Sequence, residues 1–348
     1  MNSELTNVGA SASIHDFQIF RFSDFQISEY PNIYTSENLS SSNLFFLLNL
    51  YPAALSGGAE LGGVETLKDG GSEGEGSRIG DEVFGFDDVL SHPILAMILL
   101  MLWGLIFYSV FAAIVEIGLG EEYGGWGAAI GAVLALIIHK AWFRPEFKGS
   151  IRKLGFPSKD VKIAFLGFSA FVLIIDVLGF IGHEIAFTIP NLGLALMAGI
   201  GEEMFVRVLP ISVMMRDWMD EKHVPFITYA TAIIFGLIHL SNISVGAPVD
   251  ITMIQIVIAI GIGIIFAAVY LRTGNILLCI ILHTVHDMLS FMIVGGTENG
   301  VMQTITTYDA ITSIIIGIVG AVVGTYLIRK AVRTDIVTVW KERWSVEQ

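Results

Sequence analysis

The chain has 348 residues, 54% of them hydrophobic and only 15% charged, with a formal net charge of -14. Its mean hydropathy of +0.71 excludes an ordinary soluble domain and points to a polytopic membrane protein. The acid excess argues against nucleic acid as a partner. The single cysteine, Cys279, excludes an intrachain disulfide.

The acidity is concentrated at the start. Residues 1–90 hold 14 Asp and Glu against Arg21, Lys68 and Arg78. Gly and Ser are dense over 56–58 and 70–77. Such a segment buries too little apolar surface to offset its ordering entropy, so 1–90 reads as a poorly ordered cytoplasmic extension. An apolar island at 44–55 is too short to span. It has no basic residues before it in the manner of a signal peptide, and it reads as an interfacial or tail-docking segment.

Residues 91–335 form the transmembrane domain, followed by a short cytoplasmic tail at 336–348. Eight apolar stretches are expected near 93–117, 126–143, 161–182, 191–215, 224–243, 251–271, 276–294 and 309–328. Each approaches the ~20 residues that cross a ~30 Å hydrocarbon layer. The predicted fold is therefore all-α: a bundle of about eight membrane spans. Lys140, Arg144, Lys148, Arg152, Lys153 and Lys159 fill one loop, and Arg216, Lys222, Arg272, Arg329, Lys330 and Arg333 continue the alternation. Loops at 183–190, 244–250 and 295–308 have no Lys or Arg. The positive-inside rule then places both termini in the cytoplasm of a multi-pass protein, with the plasma membrane as the expected location. Gly127 with Gly131, and Gly320 with Gly324, are spaced for close helix contact rather than for phosphate binding.

Three of these stretches carry motifs of closely spaced ionisable residues, which are costly at such depth and mark a functional site by default. Glu203 and Arg207 are four apart and share a helical face, so Glu203 reads as an anchored carboxylate. Glu202 lies about 100° away on an ideal helix and roughly 18 Å from the outer end. With no cation of its own, it is the candidate general base. A buried ion-pair cluster between helices is the structural alternative for the three. His239 follows Phe235 by one turn, as a packing residue or a site residue. Asn242 could orient its imidazole or cap the helix end. His283 and Asp287 are four apart, so the Asp could fix the His tautomer. His286 borders the same face as a secondary residue. Cys279, one turn before His283, leaves open a Cys–His nucleophile. Asp176 sits mid-stretch, to pair with Arg207 or to line the cavity.

Glu-Glu-x-x-x-Arg at 202–207, Phe-x-x-x-His at 235–239 and His-x-x-x-Asp at 283–287 occur in that order on three spans. In this they resemble the CPBP family, the CAAX-protease and bacteriocin-processing (abortive-infection) intramembrane proteases that include the type II CAAX prenyl endopeptidase. The matching core runs from about 190 to 294. The resemblance implies peptide-bond hydrolysis in the membrane, with Glu202 activating water. It implies that His239 and His283 position the water and stabilise the oxyanion, while Glu203, Arg207 and Asp287 act as supports. Prenyl proteases usually carry Asn where this chain has Asp287, which makes leader-peptide processing as apt as CAAX processing. The cofactor is either none or a zinc held by Glu202, His239 and His283. The expected partners are a membrane-associated peptide or protein substrate and the lipid bilayer, with no expectation for oligomeric state. Two other classes fit intramembrane carboxylates and histidines. One is a proton- or ion-coupled transporter, disfavoured by the lack of a repeat in 93–182. The other is a non-catalytic immunity or scaffold protein.

Overall fold

Apolar length, glycine and proline placement build the bundle. The computed structural model describes residues 92–144, 147–148, 156–244, 246–294 and 307–344. The acidic extension and the apolar island at 44–55 lie outside the described residues.

The architecture is all-α. In chain order the helices are α1 (Pro93–Leu119), α2 (Gly124–Ile138), α3 (Lys159–Leu178), α4 (Ile189–Leu196), α5 (Leu209–Asp217), α6 (Val224–Ile238), α7 (Ser241–Ser244), α8 (Val249–Thr273), α9 (Leu277–Phe291), α10 (Thr307–Leu327) and α11 (Arg333–Arg343). Pro93 and Pro225 sit in the first turns of α1 and α6, where their missing N–H costs nothing. Gly274, at φ +61°, ends α8 in the left-handed conformation that glycine adopts without penalty. The only β-type pairing among the described residues is an isolated antiparallel bridge between Ile185 and Ile293.

Six helical segments are long and apolar enough to cross a membrane, not the eight expected. The two that fall short are those with the most polar chemistry. The stretch expected at 191–215 is not a uniform α-helix. It runs as α4, then π-wound turns over Met197–Glu202 and Met204–Val208, then α5. Pro210 contributes, because it cannot donate to the carbonyl four residues back and its ring crowds that turn. The stretch expected at 276–294 yields only the 15-residue α9, started by the Asn275 side chain accepting from Leu277 N–H at 2.9 Å.

Outward faces are apolar: Ile106, Val110, Ile114 and Ile117 on α1 and Ile311, Ile315, Ile318 and Val322 on α10 are exposed. A continuous oily surface of this kind faces lipid, not water. Inside, α8 is the most buried of the six spans and packs against α6 and α10. Close approach there depends on Gly261, Gly317, Gly320 and Gly324, since a Cβ on any of them would press on the facing backbone. Gly127 and Gly131 do the same between α2 and α1, so both glycine pairs are packing devices.

The segment expected to be a short tail contains a docked helix instead. Ile336, Trp340 and Arg343 of α11 are buried. Trp340 Nε1 donates to the Leu271 carbonyl at 3.1 Å and Trp344 Nε1 to that of Ser212 at 2.9 Å. Arg343 lies against the rings of Phe147 and Trp340 and bonds the Gly274 carbonyl. Near this end Arg329 pairs with Asp160 at 2.9 Å, and the buried Arg272 reaches Asp160 at 3.4 Å. Arg272 and Arg329 therefore tie α3, α8 and the segment before α11 together.

Gly261→Leu should destabilise the protein by about 1–3 kcal/mol or more, because overpacking must separate α8 from α10. Thermal unfolding of the full chain in detergent measures it, and an unchanged Tm would contradict the close α8–α10 approach.

Candidate active site

The site is assembled from the π-wound segment after α4, the C-terminal end of α6, and α9. Winding matters first. π turns are rare and concentrate at functional positions, because the wider turn re-aims side chains that an α-helix would space evenly. Here they flank Glu203, with Glu202 the last residue of one and Arg207 within the next. Gly199 lets this segment press against Thr284 of α9, and Gly201 lets it press against the Tyr108 ring of α1. Any side chain at Gly199 would push the carboxylates away from α9.

Glu203 and Arg207 are both fully buried and paired at 2.8 Å. The same Glu203 oxygen, Oε1, also accepts from His283 Nδ1–H at 3.0 Å. The Arg207 guanidinium stacks over the Phe235 ring, 3.9 Å from its centroid. Phe235 in turn meets His239 edge-on at 5.0 Å and His283 edge-on at 6.2 Å. All three motifs therefore converge on two groups, the Glu203 carboxylate and the Phe235 ring. Phe266 of α8 closes the other side of His283 at 5.8 Å.

Hydrogen bonding sets the direction of each imidazole. His239 Nδ1 is 2.9 Å from the Phe235 carbonyl, which can only accept. Nδ1 is therefore the protonated nitrogen, and Nε2 is left free for other partners. His283 spends Nδ1 on Glu203, so its Nε2 is turned toward Glu202 and Asp287. There it lies 3.9 Å from Glu202 Oε2 and 3.6 Å from Asp287 Oδ2. The anchoring carboxylate of His283 is thus Glu203 and not Asp287, as the four-residue spacing had suggested. A fully buried oxygen on a neighbouring helix offers the better-aligned bond.

Exposure separates two layers. Glu203 and Arg207 have none, whereas Glu202 and Asp287 keep 22% and 21% of their side-chain surface. Glu202, Asp287 and the outer nitrogen of His283 form the accessible polar face. Behind them, Glu203 Oε2 and Arg207 Nε and Nη2 are buried without hydrogen-bond partners among the described residues. A pair so incompletely satisfied is a poor source of stability. Its value lies in holding His283.

The remaining expected residues lie elsewhere. Asp176 pairs with His286, Oδ2 to Nδ1 at 2.9 Å, and not with Arg207. This second couple joins α3 to α9 one turn from His283, and its signal was a lone mid-span carboxylate that had to find a partner. Asn242 donates to Gln255 Oε1 at 2.8 Å and does not hold the His239 ring. Cys279 is buried with its thiol toward the Phe266 carbonyl at 3.5 Å. That orientation offers His283 no thiol to deprotonate. Tyr108 and Phe266, both against the site, carry no motif and were not legible from spacing.

The zinc set Glu202, His239 and His283 fits poorly. Zinc needs its ligand atoms converging within about 2.0–2.2 Å of one point. No group of three or more His, Cys, Asp or Glu among the described residues has such spacing. Each His has one ring nitrogen bonded to the protein, which orients the other, an arrangement common to acid–base and metal-ligating histidines.

No curated protein and no solved structure matches the chain. A family model described as Type II CAAX prenyl endopeptidase Rce1-like matches residues 167–289. That stretch runs from within α3 through α9, about a third of the chain, and contains every residue of the three motifs. It supports a CAAX-type intramembrane endopeptidase in general, with a membrane-embedded protein as substrate. Six helices long and apolar enough to cross a membrane, the three convergent motifs and this match make residues 167–289 similar to the CPBP/CAAX protease family, of the type II CAAX prenyl endopeptidase Rce1-like kind.

Proposed function

We propose that the protein hydrolyses a peptide bond of a membrane-associated substrate, with Glu202 as the general base. The observation that carries this is the gap between Glu202 Oε2 and His283 Nε2. At 3.9 Å it is too long for a direct hydrogen bond, and in this reading a water hydrogen-bonded to Glu202 beside His283 is the nucleophile. Glu202 takes a proton from that water as its oxygen attacks the scissile carbonyl carbon. The C=O electrons move onto the carbonyl oxygen. The proton held by Glu202 then passes to the departing amide nitrogen as the C–N bond breaks, leaving a carboxyl and an amine.

The two histidines take different parts. His239 presents Nε2 as an acceptor, because Nδ1–H is committed to the Phe235 carbonyl. It orients a water O–H. His283 is held by Glu203 through Nδ1–H, so it is as the imidazolium, with the Glu203, Glu202 and Asp287 carboxylates around it, that its Nε2 donates to the developing oxyanion without reorganising. Arg207 and Phe235 keep that geometry. Asp287 competes for the same nitrogen at 3.6 Å, which tempers His283 as an oxyanion donor where prenyl proteases have Asn. The substrate class that follows is a membrane peptide or leader segment as readily as a CAAX terminus.

Orientation bears on the same question. His239 stands at the end of α6, and Asp287 is one turn before the end of α9. The site is therefore nearest the end of the bundle whose loops lack Lys and Arg. By the positive-inside rule that end is not cytoplasmic, and both termini of the domain are.

Glu202→Gln should lower kcat for a cleaved membrane peptide by roughly 10²–10⁴-fold, the range of one general base, with Tm unchanged. Mass spectrometry of membranes holding wild type or variant reads the cleavage. Processing that persists in a folded Glu202→Gln protein would overturn the reading. Arg207→Met should cost about 3–5 kcal/mol of stability by stranding the Glu203 charge. Arg207→Lys, keeping the charge without the planar fork, should retain most stability and lose activity. Equal activity and Tm in all three proteins would contradict the anchoring role.

A further inference from the structure

The isolated bridge between Ile185 and Ile293 lies at the end of the bundle nearest the site, and it is built asymmetrically. Ala186 N–H donates to the Met292 carbonyl at 2.9 Å, and Val294 N–H donates to the Glu184 carbonyl at 3.0 Å. In extended chain, successive residues direct their N–H and C=O to opposite edges. Glu184 and Ala186 thus face residues 292–294. The N–H and C=O of Ile185 and Phe187 point the other way, and among the described residues they have no hydrogen-bond partner.

Both residues are exposed. The extended conformation continues to Thr188, at φ -129° and ψ 152°, whose hydroxyl then caps α4 by accepting from Asn191 N–H. Asn191 Nδ2 donates to the Phe291 carbonyl at 2.6 Å, pinning the segment to the end of α9. Where hydrocarbon covers such backbone it goes unsatisfied, since lipid tails supply no hydrogen bonds. A free edge there is a template for another extended strand.

We propose that residues 185–187 are a substrate-docking edge, which pairs with an extended segment of the peptide to be cleaved; this rests on the protease reading above. Geometry supports that occupant. Asp287 lies roughly 6 Å, and His283 roughly 12 Å, along α9 from its end at Phe291, at 1.5 Å per residue. A strand held at 185–187 reaches the polar face with about four extended residues of roughly 3.3 Å each. Pairing would also unwind the substrate next to its scissile bond, as attack on a peptide carbonyl requires, because a helical carbonyl is already hydrogen-bonded and shielded. The ligand class is an extended backbone, recognised by main-chain hydrogen bonds with little demand on side chains.

The test measures binding separately from cleavage. Full-length Glu202→Gln protein in phosphatidylcholine nanodiscs is titrated with a fluorescent peptide. The probe has a Leu/Ala span of about 20 residues followed by an extended Thr/Val segment of roughly six. Two further probes carry N-methyl groups on the odd or on the even residues of that segment. One set should weaken binding by at least about ten-fold and the other by less than about two-fold, because only alternate N–H groups face the edge. Phe187→Pro, which removes a paired N–H, should weaken binding of the parent probe by about ten-fold, and Phe187→Ala should leave it within about two-fold. Equal weakening by both sets, weakening by neither, or no binding of the parent probe overturns the proposal. Cleavage of the parent by wild type is scored separately, so loss of the docking edge leaves the protease reading standing, and the reverse.

Discussion

One carboxylate oxygen ties the site together. Glu203 Oε1 accepts from Arg207 on its own helix and from His283 on α9. Removing these charges from water costs several kcal/mol per ion even after relaxation. Covalent continuity cannot hold His283 next to Glu202, because 80 residues separate Glu203 from His283. A buried ionic contact with one geometry does. It fixes the imidazole tautomer, leaves Nε2 pointing at Glu202, and places Arg207 over the Phe235 ring that abuts His239.

The rest of the bundle serves that contact. Helices joined in lipid gain little from burying apolar surface, so they associate through close packing. The glycines of α2, α8 and α10 provide it, and Gly199 brings the Glu202–Glu203 segment against α9. The π turns put polar side chains where regular α-winding would not, at the expense of one regular span. At the basic end, α11 and the ion pairs of Asp160 tie α3, α8 and the segment before α11 together. One end of the molecule is therefore fastened by charge and tryptophan, while the other carries the polar face and an unpaired backbone edge.

Much of this was legible in the chain. Periodic apolar runs and loop charges fixed the all-α class and the order of the spans. The i,i+4 spacing foretold the Glu203–Arg207 pair, because it lies within one helix. Contacts between helices were harder. Spacing within α9 made Asp287 the natural anchor for His283, yet the buried oxygen of Glu203 took that place. Asp176 and Asn242 had no local partner to disclose theirs, His286 and Gln255. Six candidate spans stand where eight were expected: one expected stretch is interrupted by π turns, and the other yields only the short α9. Tyr108 and Phe266 are ordinary apolar residues in sequence and become part of the site only through packing.

The central claim is that Glu203 and His283 form one energetic unit across two helices. A double-mutant cycle on Glu203→Gln and His283→Gln, read by thermal unfolding of the full chain, tests it most directly. The structure predicts a coupling at the upper end of the roughly 0.5–3 kcal/mol typical of contacting residues. Additive losses would mean that the two side chains do not share the bond on which the site depends.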